Sequence, residues 1–385
     1  MPLPYTDVHE MFRNSVQRFV EREVAPYHES WEEAGIVDRA IWKKAGEQGL
    51  LLITAPEEYG GGGGDFLMVN IFLEEMLKGV YTGPGFRVHS DIVAPYIVNL
   101  GTEEQKKRWL PKMASGEMIG AIAMTEPSAG SDLKAIRTTA VRDGDEYVIN
   151  GQKTFITNGE HSDLIIVVAK TDPNAGSKGI SLIVVEADRP GFKKGRRLKK
   201  IGLKAQDTTE LFFDDVRVPL SNILGEENRG FVHLMTELPR ERLIAAAVAQ
   251  VGAESAVRLA TEYARERHVF GGPLMAMQNT RFTLADVTTE VTVGRIFLND
   301  CICRFLEDDL DGTHAAKAKL WCSERAGTVI DKCLQLFGGW GYMSEYPIAR
   351  LYADARVYRI YAGSSEIMKE IIARSIENAQ SFENE

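Results

Sequence analysis

The chain has 385 residues, too many for one compact core, so two or three domains are expected. Its 44% hydrophobic and 26% charged residues are those of an ordinary globular protein, and a net charge of −10 with no Lys/Arg-rich stripe excludes a nucleic-acid binder. No run of about eighteen apolar residues occurs, so no membrane-spanning helix is predicted.

Val16, Phe19, Val20 and Val24 recur at helical spacing, and Pro26 marks the expected end of a first helix. Residues 41–52 form a second helical run. Five glycines at 60–64 break the chain before a third run at 66–77. Thr102 and Gln105 have the spacing of a capping box that opens a helix ending near Lys112. Near Ile119 the texture changes to strands and turns. Residues 147–149 and 154–157 flank Asn150-Gly151, a strong hairpin-turn signal. Residues 164–169 and 180–185 are β-branched runs of buried-strand length, and 211–218 resembles them. The basic stretch KKGRRLKK at 193–200 reads as a solvated turn. After Gly225 long helical patterns return, to about Arg267, then at 282–306, 314–337 and 365–376. The fold class is therefore multidomain α+β: an N-terminal α-helical domain (1–118), a middle β-barrel or sandwich domain (119–225) and a C-terminal four-helix-bundle domain (226–385).

Five short motifs carry possible chemistry, and each has a plain reading too. AMTEPSAGSD at 123–132 offers backbone N–H groups and hydroxyls to phosphate or flavin oxygens, or is a Ser/Gly loop. FITNG at 155–159 offers a stacking aromatic with a hydroxyl, or is a strand end. Arg267 in RHVFG could pair with a pyrophosphate or neutralise a helix C-terminus. The glycines of QLFGGWGY at 335–342 allow close backbone approach to a ligand, or form a helix cap. Glu241 in LPRER, between two arginines, reads on its own as a solvated surface carboxylate. The four cysteines form no CxxC pair and no zinc spacing occurs, so no metal site is expected. Few cysteines and no signal pattern fit a reducing, cytoplasmic location, and the chain looks like a form without a transit peptide.

Taken in order along the whole chain, these blocks resemble the acyl-CoA dehydrogenase family, and most closely its long-chain members. The resemblance is carried by TEPSAGSD at 125–132, DGDEYVINGQKTFITNG at 143–159, KIGLKAQDTTELFFDDVRVP at 200–219, ERHVFG at 266–271, QLFGGWGYMSEYP at 335–347 and YAGSSEIMKEIIAR at 361–374. It implies FAD as cofactor. Met124 and Thr125 would lie along the flavin edge, and Phe155 and Thr157 at its ring. Arg267, Phe270 and Gln278 would hold the pyrophosphate and adenosine from a neighbouring subunit, with Gln335, Gly338 and Gly339 on the other side of that site. Ser364 and Glu366 would also touch the cofactor. Val269 stands where a hydroxyl is common. A shared site implies an oligomer, a homotetramer built as a dimer of dimers.

Many relatives carry the base directly before the glycine of a YxG(T/S) motif, where this chain has Ala362. Long-chain and isovaleryl members carry it instead on the helix opening the C-terminal domain, and Glu241 matches that position. The implied reaction is α,β-dehydrogenation of a fatty acyl-CoA, long-chain or branched, to trans-2-enoyl-CoA. Glu241 would take the α-proton, and the Ala362 N–H would polarise the thioester carbonyl. Ser131 and Arg242 resemble contacts to the CoA portion, with Tyr361 and Gly363 on the substrate side. Electrons would pass to an electron-transferring flavoprotein. A related flavin oxidase or a biosynthetic dehydrogenase acting on a carrier-bound acyl group is a second reading, and the Ala362 departure leaves a cofactor-binding, non-enzymatic scaffold as a third.

Overall fold

Helix α1 (Asp7–Phe19) buries Val16 and Phe19 and leads through Val20–Val24 to α2 (His28–Ala34) and α3 (Ala40–Glu47). The computed structural model describes residues 2–378. Helix α3 stops earlier than the periodicity predicts. Gly49 turns the chain at φ 66°, and Leu50, Leu51 and Leu52 are buried outside any helix. Helix α4 (Phe66–Lys78) starts where the Asp65 carboxylate accepts from the Met68 N–H. Helix α5 (Ala94–Leu100) follows, and α6 (Glu103–Ala114) opens on the predicted Thr102–Gln105 capping box.

The middle of the chain is one seven-stranded sheet: β1 (Gly120–Ala123), β2 (Thr139–Asp143), β3 (Glu146–Thr157), β4 (Leu164–Lys170), β5 (Ile180–Glu186), β6 (Phe192–Arg197) and β7 (Thr208–Pro219). Its order is β1-β4-β2-β3-β7-β6, with β5 also paired to β4. The β1–β4 and β2–β4 pairs are parallel and the others antiparallel. Alternate residues of β4 and β5 enter two different cores. Ile165, Val167, Ile183 and Val185 face inside the curled sheet, whereas Leu164, Ile166, Leu182 and Val184 face the helices. Burial on both faces is why these strands read as unbroken apolar runs.

Two sequence expectations need correction here. Asn150-Gly151 is not a hairpin turn but lies inside the long strand β3, at a bulge against β7. Gly151 takes φ 151°, and a Cβ there would lie 2.5 Å from Thr138 Oγ1, so the position requires glycine. The turn that joins β2 to β3 is instead at Gly144, φ 62°. The basic stretch is also no turn: residues 192–197 are the edge strand β6, whose charged side chains keep that edge solvated.

Helix α7 (Gly230–Glu266) is followed by a small hairpin of β8 (His268–Val269) and β9 (Gly272–Pro273). Then come α8 (Gln278–Leu306), α9 (Gly312–Leu336), α10 (Pro347–Ala355) and α11 (Ser365–Asn378). Helices α7, α8, α9 and α11 form the bundle, and α4 packs on α7. The apolar part of α7 is long enough to cross a membrane but is mostly covered inside this bundle. One continuous core joins the N-terminal helices, the outer faces of β4 and β5, and the bundle.

Candidate active site

Glu241 lies on α7 just past Pro239, where α5 crosses it, and is 8% exposed. The surface reading of this carboxylate therefore fails. Tyr96 of α5, fully buried, donates from Oη to Glu241 Oε1 at 2.9 Å. One turn upstream, Asn99 Nδ2 donates to Glu237 Oε1 at 2.8 Å, so α5 holds two carboxylates of α7. Burial pushes the Glu241 carboxyl from 4.5 up to about 7. The Tyr96 hydrogen bond opposes that rise, Glu237 adds to it, and Arg242 and Arg240 oppose it. Arg240 Nη2 donates to Thr54 Oγ1 at 2.9 Å, while the Nε atoms of Arg240 and Arg242 are buried without partners. A carboxyl near 7 accepts a proton without being neutral from the start, which suits a general base.

The second element is the turn before α11. Ala362 has φ 51° and Gly363 φ 88°, both left-handed. For alanine this costs on the order of 1 kcal/mol, so its surroundings must impose it. Lys319 of α9, wholly buried, donates from Nζ to the Gly363 carbonyl at 2.6 Å. Ser365 Oγ donates to Glu324 Oε1 at 2.6 Å, tying the start of α11 to α9. The ring of Tyr361 stacks on Tyr358 at 6.1 Å, and its buried Oη makes no standard hydrogen bond. This turn and the residues flanking Glu241 share charged neighbours. Lys319 feels the charges of both Arg242 and Glu366. Buried Asp91 lies among the fields of Arg240 and Arg87, and Arg87 also acts on Tyr361. Burial pushes Asp91 up to about 6.

The third element is the rim of the β-sheet. The Thr154 N–H donates to the Thr125 carbonyl at 2.9 Å, which sets Met124 and Thr125 beside the end of β3. Fully buried Lys153 donates to Glu126 Oε1 (2.9 Å), the Met124 carbonyl (3.1 Å) and the Val168 carbonyl (2.7 Å). Phe155 sits at a second β3–β7 irregularity with φ 60° and is 65% exposed. Thr157 is half-buried beyond it, and Asn158 Nδ2 donates to the carbonyls of Gly85 and Gly120. That bond ties the rim to the segment leading to Arg87. An exposed aromatic held in a strained conformation, with threonine hydroxyls on either side, fits a planar ring system with a polar edge. Ser131 is exposed on the outer part of the 125–132 loop.

The remaining predicted residues form a separate cluster. Arg267, Phe270 and Gln278 lie at the C-terminal end of α7 and around the β8–β9 hairpin. Gln335, Gly338 and Gly339 end α9. The Tyr263 ring stacks on Phe337 at 4.2 Å, which joins the two ends. All six are exposed; Phe270 is 98% exposed with φ 49°, and Arg267 makes no ion pair among the described residues. Along α7 this cluster lies about 38 Å from Glu241. The predicted cofactor residues thus fall into two groups within one chain. Tyr96, Lys319, Lys153, Arg87 and Asp91 went unread in the sequence. Lys153 lies inside the 143–159 block and Lys319 stands out as a lysine in the apolar stripe of α9, whereas Tyr96, Arg87 and Asp91 belong to no local motif.

A helical–β–helical chain with a buried carboxyl near 7, a strained backbone turn and an exposed aromatic rim fits an enzyme that moves a proton beside a planar cofactor. Comparison with known proteins gives the family: N-terminal, middle and C-terminal acyl-CoA dehydrogenase domains match residues 6–117, 121–216 and 228–377, and the chain belongs to the acyl-CoA dehydrogenase family. It is 52% identical over 374 residues to the long-chain specific mitochondrial acyl-CoA dehydrogenase of Rattus norvegicus, covering 97% of this chain and 87% of that one. The crystal structure of an acyl-CoA dehydrogenase from Geobacillus kaustophilus superposes with TM-score 0.96 at 49% identity, covering 98% and 100% of the two chains. A glutaryl-CoA dehydrogenase from Mycobacterium smegmatis in complex with FADH2 superposes with TM-score 0.90 at 29% identity, covering 98% and 96%. Members of this family use FAD.

Proposed function

We propose that this acyl-CoA dehydrogenase acts on long-chain or branched acyl-CoA, with Glu241 as its base, and passes electrons to an electron-transferring flavoprotein. The observation that carries the reading is the buried Glu241 carboxyl, held by Tyr96 and pushed up to about 7. The resemblance to long-chain relatives supports the substrate class.

Glu241 takes the α-proton and ends as a neutral acid, which its buried setting favours over a charged one. The Ala362 N–H donates to the thioester carbonyl as negative charge gathers on that oxygen. A backbone donor does not depend on a side chain, so alanine at 362 is compatible with turnover. FAD, when bound, supplies the two-electron acceptor for the β-hydride. Met124, Thr125, Phe155, Thr157, Ser364 and Glu366 would hold its ring end. Ser131, Arg242, Tyr361 and Gly363 would meet the substrate. Arg267, Phe270, Gln278, Gln335, Gly338 and Gly339 would hold the far end of a cofactor bound mainly by another copy. The separation of about 38 Å along α7 supports that division and so an assembly of at least two copies, the homotetramer being what the resemblance implies.

Steady-state kcat/KM across straight and branched acyl-CoAs, with electron-transferring flavoprotein as acceptor, tests the reading. The expected maximum is at long or branched chains. A maximum at short straight chains would reassign the substrate, and failure of the flavoprotein to accept electrons would reassign the partner.

A further inference from the structure

Lys319 has no part in the chemistry above, yet it is a wholly buried ammonium in the middle of α9. A buried cation is unfavourable unless it is strongly paired, and an apolar side chain would fill the same space at less cost. Its one hydrogen bond, 2.6 Å to the Gly363 carbonyl, is short and charge-assisted. The bond falls on the 361–364 turn, where Ala362 and Gly363 are both left-handed. Among the described residues it is the only side-chain hydrogen bond to a carbonyl of that turn. The Ser364 and Ser365 hydroxyl bonds serve the first turn of α11 instead.

We infer that Lys319 is a positioning residue for dehydrogenation: by holding the Gly363 carbonyl it fixes the turn that aims the Ala362 N–H at the thioester oxygen. Peptide planes are rigid, so pinning one carbonyl limits the two soft dihedrals beside it and the strained residue before it. The inference rests on the proposed role of the Ala362 N–H.

The test uses the FAD-loaded enzyme and a 3-ketoacyl-CoA. The α-proton of that ligand is acidic, so it binds as an enolate beside oxidised flavin and gives a long-wavelength charge-transfer absorbance. The band reports stabilisation of the thioester oxygen without turnover. For Lys319→Met the inference expects enolate affinity and kcat to fall together by about 10- to 100-fold, with KM changed by less than about threefold. Lys319→Gln, which keeps a neutral donor, should recover part of both; it is the variant that decides if Lys319→Met does not hold FAD. Wild-type enolate affinity and kcat in a variant that holds FAD would overturn the inference alone. So would a loss of thermal stability and FAD with no change in enolate affinity per bound flavin. Wild-type enzyme that is neither reduced by acyl-CoA nor able to form the enolate band would overturn the reading of the site, and this inference with it.

Discussion

Glu241 ionises at a cost to the folded chain. Its carboxyl is raised from 4.5 to about 7, so between those values the native state binds more protons than the unfolded state. The cost is absent below about 4.5, builds as pH rises between about 4.5 and 7, and is fully present above about 7. Glu241→Gln should therefore stabilise the protein by about 3 kcal/mol at pH 8 and by less than about 1 kcal/mol at pH 5, as read from thermal unfolding at the two pH values. The same titration should appear in function: kcat/KM should rise with pH through about 7 as the base ionises. Tyr96→Phe removes the hydrogen bond that favours the carboxylate. Its pH–rate limb should move up by about one pH unit, with the plateau rate nearly retained. An unmoved limb would mean that Tyr96 does not tune the base. None of this was legible locally. LPRER reads as a charged surface, and only the resemblance singled out Glu241. Its burial comes from Tyr96, 145 positions away in the sequence, and no spacing rule reports such a contact.

At the scale of elements, sequence patterning was most informative where one segment faces one environment. The apolar runs of β4 and β5, the helices from α7 to α9 and the capping box of α6 were all legible. Asn150-Gly151 misled because the dipeptide tolerates bulges as well as hairpins, and the choice belongs to the partner strand β7. The rim around Phe155 depends on a similar long-range feature, the buried Lys153–Glu126 pair. Glu126 also accepts from the N–H groups of Arg137 and Thr138, so the pair anchors both ends of the 124–138 loop. Lys153→Met should leave a buried carboxylate unpaired and destabilise the protein by about 3 kcal/mol, while loosening the loop and lowering FAD content. Lys153→Met combined with Glu126→Gln should recover most of the stability. Urea midpoints and the flavin-to-protein ratio of the three proteins check this, and equal midpoints for wild type and Lys153→Met would refute it.

For the whole molecule, the helical–β–helical order was legible from changes in texture, but the strand order of the sheet was not. Parallel pairing of β1 with β4 joins segments more than forty residues apart in the chain, and hydrophobic alternation does not encode partner choice. Phe270, Ile201, Tyr342 and Phe282 are large apolar side chains more than half exposed, as expected where further copies of the chain would cover them. Arg267→Ala and Phe270→Asp should lower FAD retention, and Phe270→Asp should also yield smaller assemblies by light scattering. Full retention of FAD in a monomeric Phe270→Asp protein would remove the case for a shared site.

Anaerobic mixing of the FAD-loaded protein with a long-chain acyl-CoA, followed by the loss of oxidised-flavin absorbance, tests the central claim most directly when wild type and Glu241→Gln are compared. The wild type is expected to bleach rapidly and Glu241→Gln at a rate at least about 100-fold lower, with FAD still bound. Equal bleaching in both proteins would contradict it and place the base elsewhere.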